Sequence, residues 1–443
     1  MLHIATMSSE LRVGLLGCGV VGQGVLKLAK DNAQTIQSRL GRRVTIRRVY
    51  LRESSPSRKL VNGPEIVSDP AAIYQADDID IVVELIGGTS RAGELIDAAL
   101  RAGKPVVTAN KALLAERAHE LIPLATEREI DLYFEAAVGG GIPVIRTLRE
   151  SLASDRVTSI RAILNGTSNY ILSQMMELGW GFEAALAAAQ QAGYAEADPT
   201  LDVGGGDAAH KLAILATLAF GVRVDLKDIT TEGITEVDAA DIQFAKRFGY
   251  VFKPLAIAET FPDGSLSLHV HPALVRESSI VAHVTGALNT VYLTSESLGP
   301  SILTGPGAGS GPTAVSVLSD VIDVGRNLIA DVGARVPSRA FPEEKLVDAN
   351  IRPAGLRMGA FYMRLTVADR PGVLAEVTGI LGRHQVSIAH LVQDALEPTA
   401  GAGVEVVLLT HRAREADIEA SVEQIDRLEH VQAQTRRFRI EEV

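Results

Sequence analysis

Two lysines and a crowd of carboxylates carry the chemistry that this sequence suggests. Lys111 closes KPVVTANK (104–111), where an apolar run gives way to a helical pattern. A cation at a helix N-terminus opposes the macrodipole by roughly 0.3–1 kcal/mol. Either its stem simply lies across the surface, or its ammonium stands at the carboxyl edge of a sheet, where open α/β folds bind ligands. The second cluster is Glu196, Asp198, Asp202, Asp207 and Lys211, in GYAEADPTLDVGGGDAAHK. Asp207 and Lys211 are four residues apart and share one helix face, with the acid nearer the N-terminus. As an exposed ion pair that spacing contributes about 0.2–0.5 kcal/mol. The loop before it sets Gly204, Gly205 and Gly206 beside several acids, an arrangement suited to cradling an ammonium group. A nearby lysine can then supply the proton that reduction of a carbonyl requires.

A third motif names the reductant. Gly17, Gly19 and Gly22, with Val20 and Val21 between the last two, form GCGVVG after the strand-like LRVGLLG (11–17) and before a helical stretch reaching to about Arg39. Glycines at this spacing allow a tight turn and let a pyrophosphate approach a helix N-terminus. At the end of the second strand, VTIRRVYLR (44–52), Arg52 favours a 2′-phosphate and hence NADP, while Glu53 next to it leaves NAD open. Cys18, inside the fingerprint, is read as a small residue filling a tight turn; a redox-sensitive thiol that blocks cofactor entry is the competing reading.

The elements that must position these residues follow from the apolar pattern. Runs at 11–17, 44–52, 78–88 and 104–111 do not alternate and are separated by helical stretches, which predicts a parallel sheet covered on both faces. Residues 1–140 therefore read as a doubly wound nucleotide fold. Residues 141–333 change texture, with strands such as VTSIRAIL (157–164) among helices such as EAALAAAQQA (183–192), and read as an α+β domain. Residues 334–356 resemble a linker. Residues 357–443 follow a β-α-β-β-α-β order, the ferredoxin-like plan.

Composition narrows the classes. The chain has 443 residues, 47% of them hydrophobic and 22% charged, so it can bury several cores and is not disordered. The formal net charge of −11 argues against nucleic acid as a partner. The leader MLHIATMSSE has no basic segment, and no apolar run approaches the roughly 20 residues of a bilayer span, so no membrane partner is expected. One cysteine cannot form an internal disulfide, which points to the cytoplasm.

With these features in place, the segments GLLGCGVVGQGV, VVELIGG, VVTANKALLA, YFEAAVGGGIPVI, ILNGTSNYIL, GYAEADPTLDVGGGDAAHKLAIL and GPGAGSGPTAVSVLSD resemble homoserine dehydrogenase, and VADRPGVLAEVTGILGRHQVSIAHL (367–391) resembles an ACT domain. No kinase-like segment precedes the fingerprint, so the monofunctional form is expected. The resemblance implies an α/β chain made of a Rossmann-type nucleotide-binding domain, an α+β catalytic and dimerisation domain and a C-terminal ACT domain. It implies NAD(P)H-dependent interconversion of L-aspartate 4-semialdehyde and L-homoserine, on the route to threonine and methionine. By the same resemblance Lys211 is the proton donor and acceptor, and Lys111 stands where nicotinamide and substrate meet. Glu196 and Asp207 would hold the substrate's amino end, with Asp202 in the same motif. Thr89 would face the nicotinamide, the NGTSN loop (165–169) would line the cleft, and Gly309 would lie on a loop returning to the cofactor. A monovalent cation, usually sodium, would bind Glu135 and the carbonyls of Val138, Gly140 and Ile142. The ACT-like tail implies threonine as an effector, bound near Asp369 and Gly372 in a homodimer or homotetramer; oligomerisation alone is the other reading of the tail. Two rivals remain: another amino-acid dehydrogenase on the same frame, and a nucleotide-sensing protein without chemistry, which would not need two lysines and the loop acids.

Overall fold

Short runs of Val, Ile and Leu build the first sheet because a strand covered on both faces needs no polar side. In the computed structural model, which describes residues 9–393 and 403–443, these runs become β1 (Glu10–Leu16), β2 (Arg43–Tyr50), β3 (Glu65–Val67), β4 (Ile81–Glu84), β5 (Val106–Thr108) and β6 (Leu132–Tyr133). All pair in parallel, in the order β3-β2-β1-β4-β5-β6. That order reverses between β1 and β4, and ligands bind outside the carboxyl ends of strands at such a reversal. The helices joining them are α1 (Val20–Asp31), α2 (Ala33–Leu40), α3 (Ala71–Tyr74), α4 (Ser90–Arg101) and α5 (Lys111–Glu127). The stretch expected as one helix to about Arg39 is two, because Asn32 at φ −105° and ψ 19° ends α1 and opens α2. Most of the leader, residues 1–8, lies outside the described residues, as does the Asp394 end of the QVSIAHLVQD run.

The chain divides into two compact units. The first gathers Met1–Gly166, Asp207–Ile229 and Leu288–Ala349. Beside the parallel sheet it holds three antiparallel strands, Val157–Ile163, Leu288–Ser295 and Gly299–Pro306. Its Ser310–Ala330 helix returns to the nucleotide fold: Ala314, Val317, Leu318, Val321 and Val324 form one buried stripe against Val13, Leu15 and Val25. Each such fully buried aliphatic side chain contributes about 1.5–3 kcal/mol. Residues 334–356 carry two short helical turns and a strand, Val347–Asp348, paired in parallel with Val222–Arg223.

The second unit gathers Thr167–Gly206, Thr230–Ala287 and Asn350–Val443. A long hairpin, Tyr250–Thr260 with Leu266–Arg276, is almost wholly buried. The tail runs strand Met358–Val367, helix Val373–Arg383, strand Ile388–Gln393, strand Val404–Thr410, helix Glu415–Ile425, strand Arg436–Glu441, as the sequence order predicts. Its last strand pairs in parallel with residues 273–275 of the hairpin, so the tail's sheet continues into the body of this unit. Among the described residues, no helix is long and apolar enough to cross a membrane.

Candidate active site

The fingerprint turn has the geometry its glycines imply. Gly17 sits at φ +94°, and a Cβ there would lie 2.8 Å from the Leu85 carbonyl oxygen. A Cβ on Gly22 would come within 3.2 Å of Cys18 Sγ and the Gly17 carbonyl. Gly19, just before α1, faces open space: nothing lies within 4 Å of its Cβ position. The helix itself begins with no side-chain cap and no acid in its first turn, so its leading N–H groups are left for an anion. Val20 is exposed and Val21 half-buried. These residues fit a dinucleotide. Arg52 lies two residues beyond β2, exposed, its carbonyl accepting from Ser55 N at 2.9 Å while its side chain has no ion pair or hydrogen bond among the described residues, whereas the neighbouring Arg58 side chain is tied to the Leu51 carbonyl at 2.9 Å. Thr89 is the half-buried residue before α4. Gly309, at φ +122°, precedes the Ser310–Ala330 helix, and Ser310 Oγ donates to the Val20 carbonyl at 2.9 Å. Cys18 is buried and burial pushes its thiol up to about 11, so the packing reading fits and a reactive thiolate is disfavoured.

The two lysines meet on one acid. Asp207 opens the Gly206–Phe220 helix and is buried. Its Oδ2 accepts from Lys211 Nζ at 2.7 Å, as the spacing predicts, and from Asn165 Nδ2 at 2.8 Å. Its Oδ1 faces Lys111 Nζ at 2.9 Å. Burial pushes the Asp207 carboxyl up, but attraction to Lys211 and Lys111 and the hydrogen bonds from Lys211 and Asn165 outweigh it, and hold the group well below the usual carboxylate range. Lys211 is itself buried and donates a second bond to the Leu164 carbonyl at 2.6 Å. That leaves its third N–H without a partner among the described residues. Lys111 is about a third exposed and is the first residue of α5, whose cap is Asn110: its Oδ1 accepts from Leu113 N at 3.1 Å. The anion on Asp207 answers the cost of a cation at that helix start.

Sequence reasoning missed what holds this edge. Glu84, last residue of β4, is wholly buried. One carboxylate oxygen accepts from Ile86 N at 2.7 Å and Gly87 N at 3.1 Å, the other from Thr108 Oγ1 at 2.6 Å. Thr108 Oγ1 in turn accepts from Asn110 N at 3.0 Å, and Asn110 Nδ2 donates to the Gly88 carbonyl at 2.7 Å. The only signal for this was an acid inside an otherwise apolar run.

Glu196 and Asp202 belong to the second unit. Glu196 is exposed on a loop, and Asp202 is half-buried in the short Thr200–Val203 helix that precedes the Gly206–Phe220 helix. In the same unit Thr167 Oγ1 donates to the Tyr194 carbonyl at 2.6 Å and Ser168 Oγ to the Asp202 carbonyl at 3.0 Å, so the NGTSN residues shape that acidic loop. Asp369 and Gly372 lie together in the exposed turn before the Val373–Arg383 helix, with Gly372 at φ +95°.

Glu135, Val138, Gly140 and Ile142 cluster in one turn of the first unit. Gly139 and Gly140 take φ +73° and +55°, which reorients the carbonyls there. The buried Glu135 carboxylate accepts from Ile145 N at 2.9 Å and Arg146 N at 2.8 Å, the Gly140 carbonyl from Ser316 Oγ at 2.7 Å, and the Ile142 carbonyl from Val144 N at 2.8 Å. Each of these oxygens keeps a lone pair, and an all-oxygen set suits a hard cation. Elsewhere in this unit a cavity of about 620 Å³ lies along α5 and the Gly206–Phe220 helix, lined by residues that include Leu114, His119, Ala213 and Arg223; it contains none of the expected site residues.

Comparison with known proteins resolves what this arrangement serves. The catalytic-domain model of homoserine dehydrogenase matches residues 143–322, the homoserine dehydrogenase NAD-binding model residues 17–135, and the ACT domain model residues 361–430. A homoserine dehydrogenase of Neisseria gonorrhoeae is 40% identical over 431 residues, covering 97% of this chain and 98% of its own; one of Bacillus subtilis is 38% identical over 435 residues, covering 97% and 98%. The crystal structure of a homoserine dehydrogenase from Thiobacillus denitrificans matches with a TM-score of 0.92 at 41% identity, covering 98% of both chains. That of the S. aureus enzyme at pH 6.5 matches at 0.74 and 28%, covering 98% of this chain and 99% of its own. A nucleotide fold with an open glycine turn, two lysines on a shared acid, and relatives similar along nearly their whole length agree on one assignment: the chain belongs to the homoserine dehydrogenase family and ends in an ACT domain.

Proposed function

We propose that this homoserine dehydrogenase interconverts L-aspartate 4-semialdehyde and L-homoserine, that it prefers NADPH to NADH, and that Lys211 handles the proton. The observation that carries the reading is the pair of ammonium groups, Lys211 and Lys111, on the single buried carboxylate of Asp207. Bound NAD(P)H supplies the hydride to the aldehyde carbon. Lys211 keeps two N–H groups on Asp207 and Leu164 and directs the third toward the substrate oxygen, donating its proton as the alkoxide develops and recovering it in the reverse direction. Lys111 adds a second positive charge that favours the oxyanion. Asp207 holds the two cations in place. Arg52, unpaired at the end of β2, supports the NADPH preference through a 2′-phosphate contact; a related archaeal homoserine dehydrogenase, 26% identical, was crystallised with NADPH. Asn165, Thr89 and Gly309 complete the lining of the site. The reaction serves threonine and methionine synthesis in the cytoplasm, in keeping with one buried, unbridged cysteine.

A sodium-class cation on Glu135 and the carbonyls of Val138, Gly140 and Ile142 would stiffen the turn from which Ile145 and Arg146 leave, and would supply no redox chemistry. We further infer threonine feedback through paired ACT domains, near Asp369 and Gly372. The edge strand Ile388–Gln393, with Leu391 exposed, supports pairing. The deciding experiment is oxidation of L-homoserine by the purified protein with NADP and with NAD. Turnover favouring NADP is expected; no turnover with either cofactor overturns the reading. Inhibition by millimolar threonine tests the regulatory part, and indifference to it refutes that part alone.

A further inference from the structure

A network of hydrogen bonds fixes the edge of the parallel sheet at which Lys111 stands. Two separate loops form that edge: residues 85–89 after β4, and residues 108–111 between β5 and α5. The first packs on the cofactor turn, since Leu85 N donates to the Leu16 carbonyl at 2.8 Å and its own carbonyl excludes any side chain at Gly17. The second ends in Lys111. The Glu84 side chain is bonded to both. It carries a carboxylate with no exposed surface and spends it on Ile86 N, Gly87 N and Thr108 Oγ1. Burying a charge costs several kcal/mol unless its lone pairs are filled. An amide or an aliphatic residue would close an interior strand more cheaply, so a carboxylate here is expensive as mere packing. As an acceptor-only group it can take two backbone donors and a hydroxyl at once, which a glutamine cannot. The bond from Asn110 N then passes the constraint to the α5 cap, and the bond from Asn110 Nδ2 to the Gly88 carbonyl closes a ring back to the first loop.

We propose that Glu84 is a positioning residue for the dehydrogenase reaction: with Thr108 and Asn110 it locks the loop beside the cofactor turn to the start of α5, so that Lys111 is held in register with the nucleotide. This rests on the dehydrogenase reading above. Glu84 touches neither lysine and acts through backbone. Its two halves are separable. Glu84→Gln keeps an oxygen for Ile86 N and Gly87 N but turns an NH2 toward Thr108. Thr108→Val keeps the shape and loses only the hydroxyl. Thr108→Val breaks the link between loops while leaving residues 85–89 anchored; Glu84→Gln only reverses it, its NH2 donating to Thr108 Oγ1; Glu84→Ala breaks it and frees residues 85–89 as well.

The test combines kinetics with NADPH binding, followed by fluorescence in the absence of substrate. Thr108→Val should lower kcat by about tenfold, equal to about 1.4 kcal/mol, with NADPH Kd changed by less than about twofold, and Glu84→Gln, which keeps a reversed bond to Thr108, should lose less. Glu84→Ala should in addition weaken NADPH binding by about tenfold. Wild-type kcat per folded molecule in Thr108→Val, with only the melting temperature lowered, overturns the proposal even where the Glu84 variants fail to fold. A wild-type protein that binds NADPH but does not oxidise homoserine defeats the functional reading instead, and unchanged NADPH affinity in Glu84→Ala still overturns the loop anchor.

Discussion

Asp207 Oδ2 accepts from Lys211 at 2.7 Å while its Oδ1 faces Lys111 at 2.9 Å, so one buried carboxylate serves two ammonium groups drawn from different helices. The anion between the two ammonium groups offsets their mutual repulsion. Lys211→Ala should therefore lower kcat by about 10²–10⁴. NADPH Kd should stay within about twofold, because the lysine's bonds run to Asp207 and Leu164 and none runs to the glycine turn. Steady-state rates together with a fluorescence titration check this. A variant with near-normal kcat would show that the proton comes from elsewhere.

Cofactor choice should respond to Arg52. Its side chain is exposed and unpaired among the described residues, so changing it disturbs no structural contact. Charge-assisted hydrogen bonds contribute about 1.5–3 kcal/mol, so Arg52→Ala should cut kcat/KM for NADPH by roughly 10–150-fold and leave the NADH value nearly unchanged. Equal losses with the two cofactors would mean that Arg52 does not read the 2′-phosphate.

These two sites differ in how far the sequence exposes them. The Lys211–Asp207 contact is four residues long on one helix, and the glycine turn is a contiguous motif; local spacing is enough to find both. The Lys111–Asp207 contact joins residues from distant parts of the chain, and periodicity carries no record of it. The same holds for Glu84, which reads as the end of an apolar strand until Thr108 is seen beside it. The Ser310–Ala330 helix has a legible apolar stripe, yet a stripe does not name the surface it covers, and its return to β1 and α1 emerges only from the fold. Asn32 broke an expected helix because a single residue can cap on both sides, which a pattern of apolar residues does not encode.

Sodium should raise thermal stability. A ligand that binds only the folded state stabilises in proportion to the logarithm of its concentration over Kd. At a few times Kd this amounts to about 1 kcal/mol, or roughly 1 °C if the 443 residues melt as one unit. Melting curves in sodium chloride and in choline chloride at equal ionic strength isolate the effect. Glu135→Gln should abolish the difference, whatever its own melting temperature. Identical curves for the wild type in the two salts would remove the cation from the account.

The hold of the C-terminal tail on the glycine-rich loop after Asp202 should depend on Arg439 and Glu232. Arg439, on the last strand, donates to both Glu232 oxygens at 2.8 and 2.7 Å and also holds Glu415 at the head of the Glu415–Ile425 helix. Glu232 N bonds the Val270 carbonyl at 2.8 Å, and Ile234 N bonds the Val203 carbonyl at 2.8 Å, so this pair abuts the glycines that follow Asp202. Burial opposes the Glu232 charge, but Arg439 outweighs it through hydrogen bonds and attraction, with help from His271 and Arg437, and lowers the carboxyl to about 2. A folded-state value below the unfolded one gives stability that is complete above the ordinary glutamate range, about pH 4.3. That stability is lost as pH falls from there through about 2. Chemical denaturation of the wild type and of Glu232→Gln should therefore differ at pH 7 and converge as pH drops below about 4. At neutral pH the same variant should keep its uninhibited kcat and need several times more threonine for half-inhibition, because the tail can then no longer pull on the loop through Arg439. Unaltered inhibition alongside the expected pH convergence would make the pair a structural clasp and nothing more.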